Sequence, residues 1–217
     1  MLIRSVVASL FDTNCWIIAT GKGAECIIVD PGMPDISAEV EMVIEEEGLK
    51  PVATLLTHGH LDHTFSVKPL ADGYGIPAYI HPEDRRFIAD PTPIIGADFV
   101  ARLSKVKFDE PLQVELLKDG SVLDFVGLSI KAIHSPGHTK GSLMFLINDE
   151  YLISGDVLFA GSIGRTDLPT GSAQEMRNTL AKKVLTLNDD IHVLPGHYGE
   201  TTIKYERKNN PYLKELG

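Results

Sequence analysis

The chain has 217 residues, 43% of them hydrophobic, and 30 acidic against 20 basic side chains give it a formal charge of −10. That length supplies apolar material for one sizeable core but not for two domains of ordinary size, so a single domain over 1–217 is expected. The acidic balance and the lack of any basic run argue against a general nucleic-acid surface, and no stretch approaches the roughly 20 apolar residues that a membrane span needs. Residues 1–11 are apolar but are broken by Arg4 and Ser9 and meet Asp12 at once, without the length or cleavage pattern of an export signal. Cys15 and Cys26 each lie inside an apolar strand-like run, which implies buried, reduced thiols in a cytoplasmic protein rather than a disulfide framework.

In chain order, residues 2–8, 14–19 and 26–29 are short, rich in Ile and Val, and divided by Asp12-Thr13 and Gly21-Lys22-Gly23, the pattern of an antiparallel meander. Asp30-Pro31-Gly32 ends the third run. Asp35 is placed to cap a helix whose Ile36, Val40, Val43 and Ile44 form one apolar stripe, with Glu39, Glu45, Glu46 and Glu47 outward and Gly48 as its end. A strand over 52–56 runs into a histidine cluster. A second helix is expected from Thr64, holding Phe65, Val67 and Leu70 until Gly73 and Gly75, and 78–80 is a further strand. His81-Pro82-Glu83-Asp84 resembles a helix start with proline in its first turn, with His81 as a surface or capping residue. Asp90-Pro91-Thr92-Pro93 and Gly96 read as a loop placed to overhang a site as a substrate wall.

Sheet returns over 112–117, 121–126, 128–134, 142–147 and 151–154, with a hairpin turn at Asn148-Asp149. Ser172-x-x-Glu175 is a capping box ahead of a helix that carries Met176, Leu180, Val184 and Leu185 inward. A strand over 191–194 and a helix from about Thr201 close the chain. His134 and His192 fall within strands and need no role beyond packing. Two halves that each join sheet to helix bury all their apolar faces as two packed sheets with helices outside, an α+β, four-layer αββα sandwich.

Thr57-His58-Gly59-His60-Leu61-Asp62-His63 sets three imidazoles and a carboxylate within six residues directly behind an apolar run. These are ligand types that zinc, iron or manganese accept. A His-rich solvated turn would predict nothing more from the chain, whereas a metal centre predicts further ligands. Three other apolar runs end in a glycine beside one: Pro136-Gly137-His138, Ser154-Gly155-Asp156 and Pro195-Gly196-His197. In each, a strand ends in a tight turn whose glycine lets backbone approach closely.

His58-x-His60-x-Asp62-His63 followed by His138, Asp156 and His197 resembles, in order and spacing, the metallo-β-lactamase superfamily of hydrolases, over nearly the whole chain from Val29-Asp30-Pro31-Gly32 to His197. Within that superfamily, Gly161-Ser162-Ile163-Gly164-Arg165-Thr166-Asp167 is similar to hydroxyacylglutathione hydrolases of the glyoxalase II type, and more closely to their shorter bacterial relatives. The resemblance implies two divalent metal ions, zinc with iron or manganese as alternatives. His58, His60 and His138 would hold the first, Asp62, His63 and His197 the second, and Asp156 both. Asp62 is also expected to position the attacking hydroxide. Asp30 is expected to orient a histidine ligand, with a turn-making role as its alternative. Arg165 falls where those enzymes bind the glutathione part of the substrate, an ion pair with Asp167 being the equal alternative.

Two ions about 3.5 to 4 Å apart lower the pKa of water from 15.7 to about 7. A thioester carbonyl attacked by that hydroxide releases a thiolate of parent pKa near 8.5, so no strong general acid need be sought. The implied activity is hydrolysis of a hydroxyacyl thioester, with a small-molecule acyl-thiol as partner. Only 20 residues follow His197, so no separate C-terminal helical domain of the kind that contacts glutathione is expected, and the carrier thiol stays open. Persulfide dioxygenases share the fold and hold one iron through residues matching His58, His138 and Asp156, which makes them the rival reading. A lactonase or β-lactamase is the third. Seven ligands exceed what a structural zinc needs.

Overall fold

The computed structural model describes residues 1–103, 107–125 and 127–216. Strands β1 (Leu2–Val7), β2 (Asn14–Ala19), β3 (Glu25–Val29), β4 (Lys50–Leu55), β5 (Ala78–Ile80) and β6 (Val114–Leu116) form one sheet in that order. The second sheet runs β7 (Val122–Phe125), β8 (Leu128–His134), β9 (Leu143–Ile147), β10 (Tyr151–Gly155), β11 (His192–Pro195) and β12 (Thr201–Thr202). Helices α1 (Ser37–Glu47), α2 (Leu61–Thr64), α3 (Val67–Tyr74), α4 (Arg86–Ala89), α5 (Thr92–Ile95) and α6 (Ala97–Arg102) belong to the first half of the chain. Helices α7 (Ala173–Thr179), which continues as a π-helical turn over Leu180–Val184, α8 (Ile203–Asn209) and α9 (Pro211–Lys214) belong to the second. No helix among the described residues is long and apolar enough to cross a membrane.

Period-two alternation feeds the layers. In β2 every residue is buried, because Trp16 and Ile18 enter the layer between the sheets while Cys15, Ile17 and Ala19 meet Val40 and Ile44 of α1 on the other face. The inner layer joins Ile27, Val29 and Leu55 to Ile130, Phe145, Ile153 and Leu194 of the opposite sheet. Met144 and Leu152 turn outward to Met176, Leu180 and Val184. Each such fully buried side chain contributes about 1.5–3 kcal/mol, and the result is the expected four-layer αββα sandwich. Both cysteines are free and buried, and burial raises the thiol of Cys26 to about 12 and that of Cys15 well above its ordinary value, so neither is a nucleophile at neutral pH.

Several local expectations are met. The first three strands form the meander, Gly48 closes α1 in the left-handed region with φ 64°, and Asn148 and Asp149, both at positive φ, make the hairpin turn. Others change. Asp35 does not cap α1: a 3-10 turn over Pro34–Ile36 precedes the helix, and the Asp35 carboxylate accepts from Ser9 N at 2.7 Å and Ser9 Oγ at 2.6 Å. The second helix starts at Leu61 rather than Thr64 and breaks before α3. The run at 112–117 shortens to β6, which pairs with β5 in the first sheet while β7 opens the second. Val126, the end of the expected 121–126 strand, lies outside the described residues. The helix expected from Thr201 begins at Ile203, after the two residues of β12. Ser172 Oγ accepts from Glu175 N at 3.2 Å, but Ser172 N donates to Gly137 O, so the capping box is half used and the helix start is tied to the His138 turn.

Candidate metal centre

The strand ends deliver their side chains to one edge of the sandwich. β4 runs into His58 and His60, α2 carries Asp62 and His63 in its first turn, the β8–β9 turn carries His138, and Asp156 and His197 follow β10 and β11. His58, His60, His63, His138 and Asp156 are buried, and Asp62 and His197 are partly open to the cleft. Two sets converge, each with donor atoms within 4.8 Å of one another: His58, His60 and His138, and Asp62, His63 and His197. Asp156 lies between them, with Oδ1 3.4 Å from His63 Nε2 and Oδ2 3.4 Å from His197 Nε2 and 3.5 Å from His138 Nε2.

The spacing fits metal coordination. In the second set the three donor pairs are 3.3 Å (His63 Nε2 to His197 Nε2), 3.5 Å (His63 Nε2 to Asp62 Oδ2) and 3.5 Å (His197 Nε2 to Asp62 Oδ2) apart. Bonds of about 2.0–2.1 Å to a tetrahedral ion give edges of about 3.3–3.4 Å between ligand atoms. Buried His58 Nε2, His60 Nε2 and Asp156 Oδ1 also have no hydrogen-bond partner. A buried polar atom left that way costs about 1–3 kcal/mol, and two of the three are atoms from which a cation would remove the penalty. The third, His60 Nε2, is the exception, because His60 turns Nδ1 inward, 2.9 Å from His138 Nε2.

The other four imidazoles are oriented from behind. Thr57 donates through N to Asp30 Oδ1 at 2.7 Å and through Oγ1 to Asp30 Oδ2 at 2.6 Å, so the Thr57 oxygen is left to accept from His58 Nδ1 at 3.0 Å. Asp30 Oδ2 takes His63 Nδ1 at 2.9 Å, Arg165 O takes His138 Nδ1 at 2.7 Å, and Phe11 O takes His197 Nδ1 at 3.0 Å. A hydrogen on each Nδ1 leaves Nε2 of that ring aimed into the site. Asp30 also lies within 4.8 Å of His58 and His63, but its oxygens are engaged by Thr57 and His63. Phe11 and Tyr198 hold φ of 73° and 67°, the left-handed region that bulky side chains rarely enter, on either side of His197. Strand β2 fastens that loop: Asn14 N donates to Gly196 O at 2.7 Å, Asn14 Nδ2 to Pro195 O and Tyr198 O, and Trp16 Nε1 to Pro195 O.

Charge follows the same division. Burial, with the neighbouring imidazoles, holds His58 well below its ordinary pKa and His60 at about 3. Burial works against protonation of His63 and His197 too, but Asp156, Asp62 and Asp30 outweigh it for His63, raised to about 9. Asp156 and Asp62 outweigh it for His197, raised to about 11. Burial opposes ionisation of Asp156 and Asp62, yet His63 and His197 beside them bring Asp156 down to about 2 and lower Asp62 as well. Metal at the second set therefore displaces protons from His63 and His197 that His58 and His60 do not carry at neutral pH. From pH 8 to 7 the second ion is expected to bind up to about 100-fold more weakly, two protons at about tenfold each, and the first to weaken by less. Titration with a metal indicator at the two pH values measures both steps, and equal pH dependence would contradict the assignment of charge.

Gly196 shows how close the backbone must come. A methyl group there would overlap Asp156 Oδ1 and lie 2.8 Å from His63 Cε1. Gly196→Ala is expected to lower the affinity for the second ion at least about tenfold, read by equilibrium dialysis.

Sequence reasoning missed Asp84. It is fully buried and accepts from Gly59 N at 3.0 Å, Thr139 Oγ1 at 2.6 Å and Gly141 N at 2.9 Å, joining the turn between His58 and His60 to the turn after His138. Burial raises its pKa even though all three bonds pull it down. The available signal was its place in the His81–Asp84 segment, which instead of a helix start forms a turn ahead of α4. His81 is buried rather than superficial, stacked on His134 at 4.1 Å, and its Nδ1 accepts from Glu83 N. Thr13 was also passed over. Its Oγ1 donates to Asp62 Oδ2 at 3.0 Å.

Beside the donors opens a cleft of about 630 Å³. The segment expected to be a loop over 90–96 forms α5 instead, and together with α6 it walls the cleft with Ile94, Ile95 and Phe99. Arg165 lines it as well, but pairs bidentately with Asp167, Nε to Oδ1 and Nη2 to Oδ2 both at 2.7 Å.

This chain belongs to the Metallo-beta-lactamase superfamily, whose sequence profile matches residues 8–197; it is a superfamily of metallo-hydrolases that bind divalent metals. An uncharacterized protein of Mycobacterium leprae is 41% identical over the full length of both chains. The hydroxyacylglutathione hydrolase GloC of Haemophilus influenzae is 33% identical, covering 98% of each. Among solved structures, the BLEG-1 B3 metallo-beta-lactamase superposes with a TM-score of 0.85 at 30% identity, over 98% of this chain and 99% of that one. TTHA1623 in a di-iron-bound form gives 0.78 at 33%, over 97% and 100%.

Proposed function

We propose that the chain is a dinuclear metal-dependent hydrolase that cleaves the thioester between a hydroxyacyl group and a small thiol, in the manner of hydroxyacylglutathione hydrolases. The observation that carries this reading is the pair of donor sets sharing Asp156, spaced as ligands and opening on a cleft. His58, His60 and His138 would hold one ion and Asp62, His63 and His197 the other, zinc being the metal proposed and iron or manganese being accepted by the same donor types. When bound, the two ions supply a hydroxide at neutral pH and polarise a carbonyl oxygen. Asp62, its carboxylate fixed by the Thr13 hydroxyl, faces the cleft and orients the attacking water as well as ligating. Asp30 orients His63 and, through Thr57, His58. The acyl carbon gains a bond to the water oxygen and loses its bond to sulfur, and the proton given up by water ends on the departing thiolate or in solvent.

GloC, a hydroxyacylglutathione hydrolase, aligns over 98% of both chains, so length alone does not decide the carrier thiol. Reduced, buried Cys15 and Cys26 fit a cytoplasmic setting. The test is to purify the protein without added metal, count ions per chain, and follow thiol release from hydroxyacyl thioesters and oxygen uptake with glutathione persulfide. Two ions per chain and chelator-sensitive thiol release support the reading. One iron with oxygen uptake overturns it. Ring opening of a β-lactam without thiol release overturns the thioester assignment.

A further inference from the structure

The cleft beside the donors carries information about the rest of the substrate. Ile94, Ile95 and Phe99 form one wall, and Phe159, Ile163 and Leu168 line it from the second half of the chain. Apart from His60, Asp62, His138, Asp156 and His197, its polar side-chain lining among the described residues is Ser162, Arg165 and the phenol of Tyr198. Among the described residues Arg165 is the one lysine or arginine there, and Asp167 takes two of its donors in a fork-to-fork pair, so away from the metal centre the described lining offers an anion little unshared positive charge. The chain as a whole carries a formal charge of −10. A glutathione thioester brings two carboxylates and one ammonium, and a nucleotide-bearing thioester brings phosphates; each would set anions against apolar walls and a neutralised arginine, an unfavourable transfer without compensating pairs. An uncharged apolar group is matched by those walls.

Resting on the thioester hydrolysis in that reading and replacing its hydroxyacyl group, we infer that the preferred substrate is an uncharged thioester with an apolar acyl group seated against α5 and α6, carried on a neutral thiol of the N-acylcysteamine type. The experiment measures kcat/KM of the metal-loaded protein on four esters: D-lactoyl and phenylacetyl, each on glutathione and on N-acetylcysteamine. Phenylacetyl-N-acetylcysteamine is expected to exceed lactoyl-glutathione by about tenfold or more, as one lost buried pair or one well-filled apolar pocket each change specificity by about that factor. A glutathione ester cleaved as well as or better than the N-acetylcysteamine ester of the same acyl group overturns the inference and leaves the hydrolase standing. Failure to release thiol from any of the four overturns both.

Asp167→Asn supplies an independent arm, since both partners of that pair are largely exposed and the change frees the Arg165 guanidinium without removing a ligand. It is expected to raise kcat/KM for the glutathione esters severalfold, mainly through KM, and to leave the neutral esters unchanged. No difference between the two carriers in this variant would overturn the role given to the Arg165–Asp167 pair. Ile95→Lys is expected to reverse the order of the acyl groups; an unaltered order would remove the α5 wall from the substrate site.

Discussion

Asp156→Ala is expected to leave the protein with no more than one metal ion per chain and to lower thioester turnover at least about 10³-fold. Among the described residues its carboxylate is the one that reaches both donor sets, 3.4 Å from His63 and His197 through different oxygens and 3.5 Å from His138. Without it, His197 is left with Asp62 alone and His63 with Asp62 and Asp30, and the strongest attraction that keeps His63 protonated is gone. The metal-free protein is also expected to lose about 3 kcal/mol, the scale for removing one partner from a buried charged cluster. Asp156→Asn keeps the shape and discards the charge, so it separates the two effects: metal counting by mass spectrometry should find the second ion missing in both variants, while the thermal midpoint of the Asn variant stays nearer that of the parent. Two ions retained with turnover within tenfold would sink the shared-ligand assignment.

Asp84→Ala is expected to destabilise the fold by about 3–5 kcal/mol, because three donors lose a buried acceptor that nothing nearby replaces. For a chain of this size that lowers the thermal midpoint by about 10 °C. The loss should be unevenly felt by the metals. Gly59 lies between His58 and His60, and Thr139 follows His138, so Asp84 braces the turns bearing every histidine of the first set and none of the second. A fall of about 10–100-fold in affinity for the first ion, with the second changed less, is the signature of that arrangement. Thr139→Val removes the bonds of the Thr139 hydroxyl to Asp84 and to Ser142 Oγ and should cost about 2 kcal/mol, below the Ala variant. Equal weakening of both ions by Asp84→Ala would reduce this carboxylate to a general structural role.

The seven side chains that converge, the turns that bear them and the sandwich were legible in the chain itself. Ligand types are chemically distinctive, a glycine beside all but Asp62 and His63 marks where backbone crowds, and periods of two and of 3.6 record which faces are buried. Residues 57–63 and the Pro-Gly-His and Gly-Asp pairs needed no neighbour to be noticed. What holds those donors in place was not readable. His138 and His197 are oriented by the carbonyls of Arg165 and Phe11, and a carbonyl is common to every residue, so no side chain announces which one faces an imidazole. Asp84 looked like a helix-start residue because its three partners are 25, 55 and 57 positions away. The pairing of β6 with β5 likewise joins residues distant in sequence, and α5 is hidden by Pro91, Pro93 and Gly96, which break the periodicity that would announce a helix. Arg165 could equally have faced a substrate or Asp167, and only the folded geometry chose the carboxylate two residues along. Local chemistry thus set which atoms can take a metal, and long-range packing decided how they are aimed and what the cleft beside them can accept.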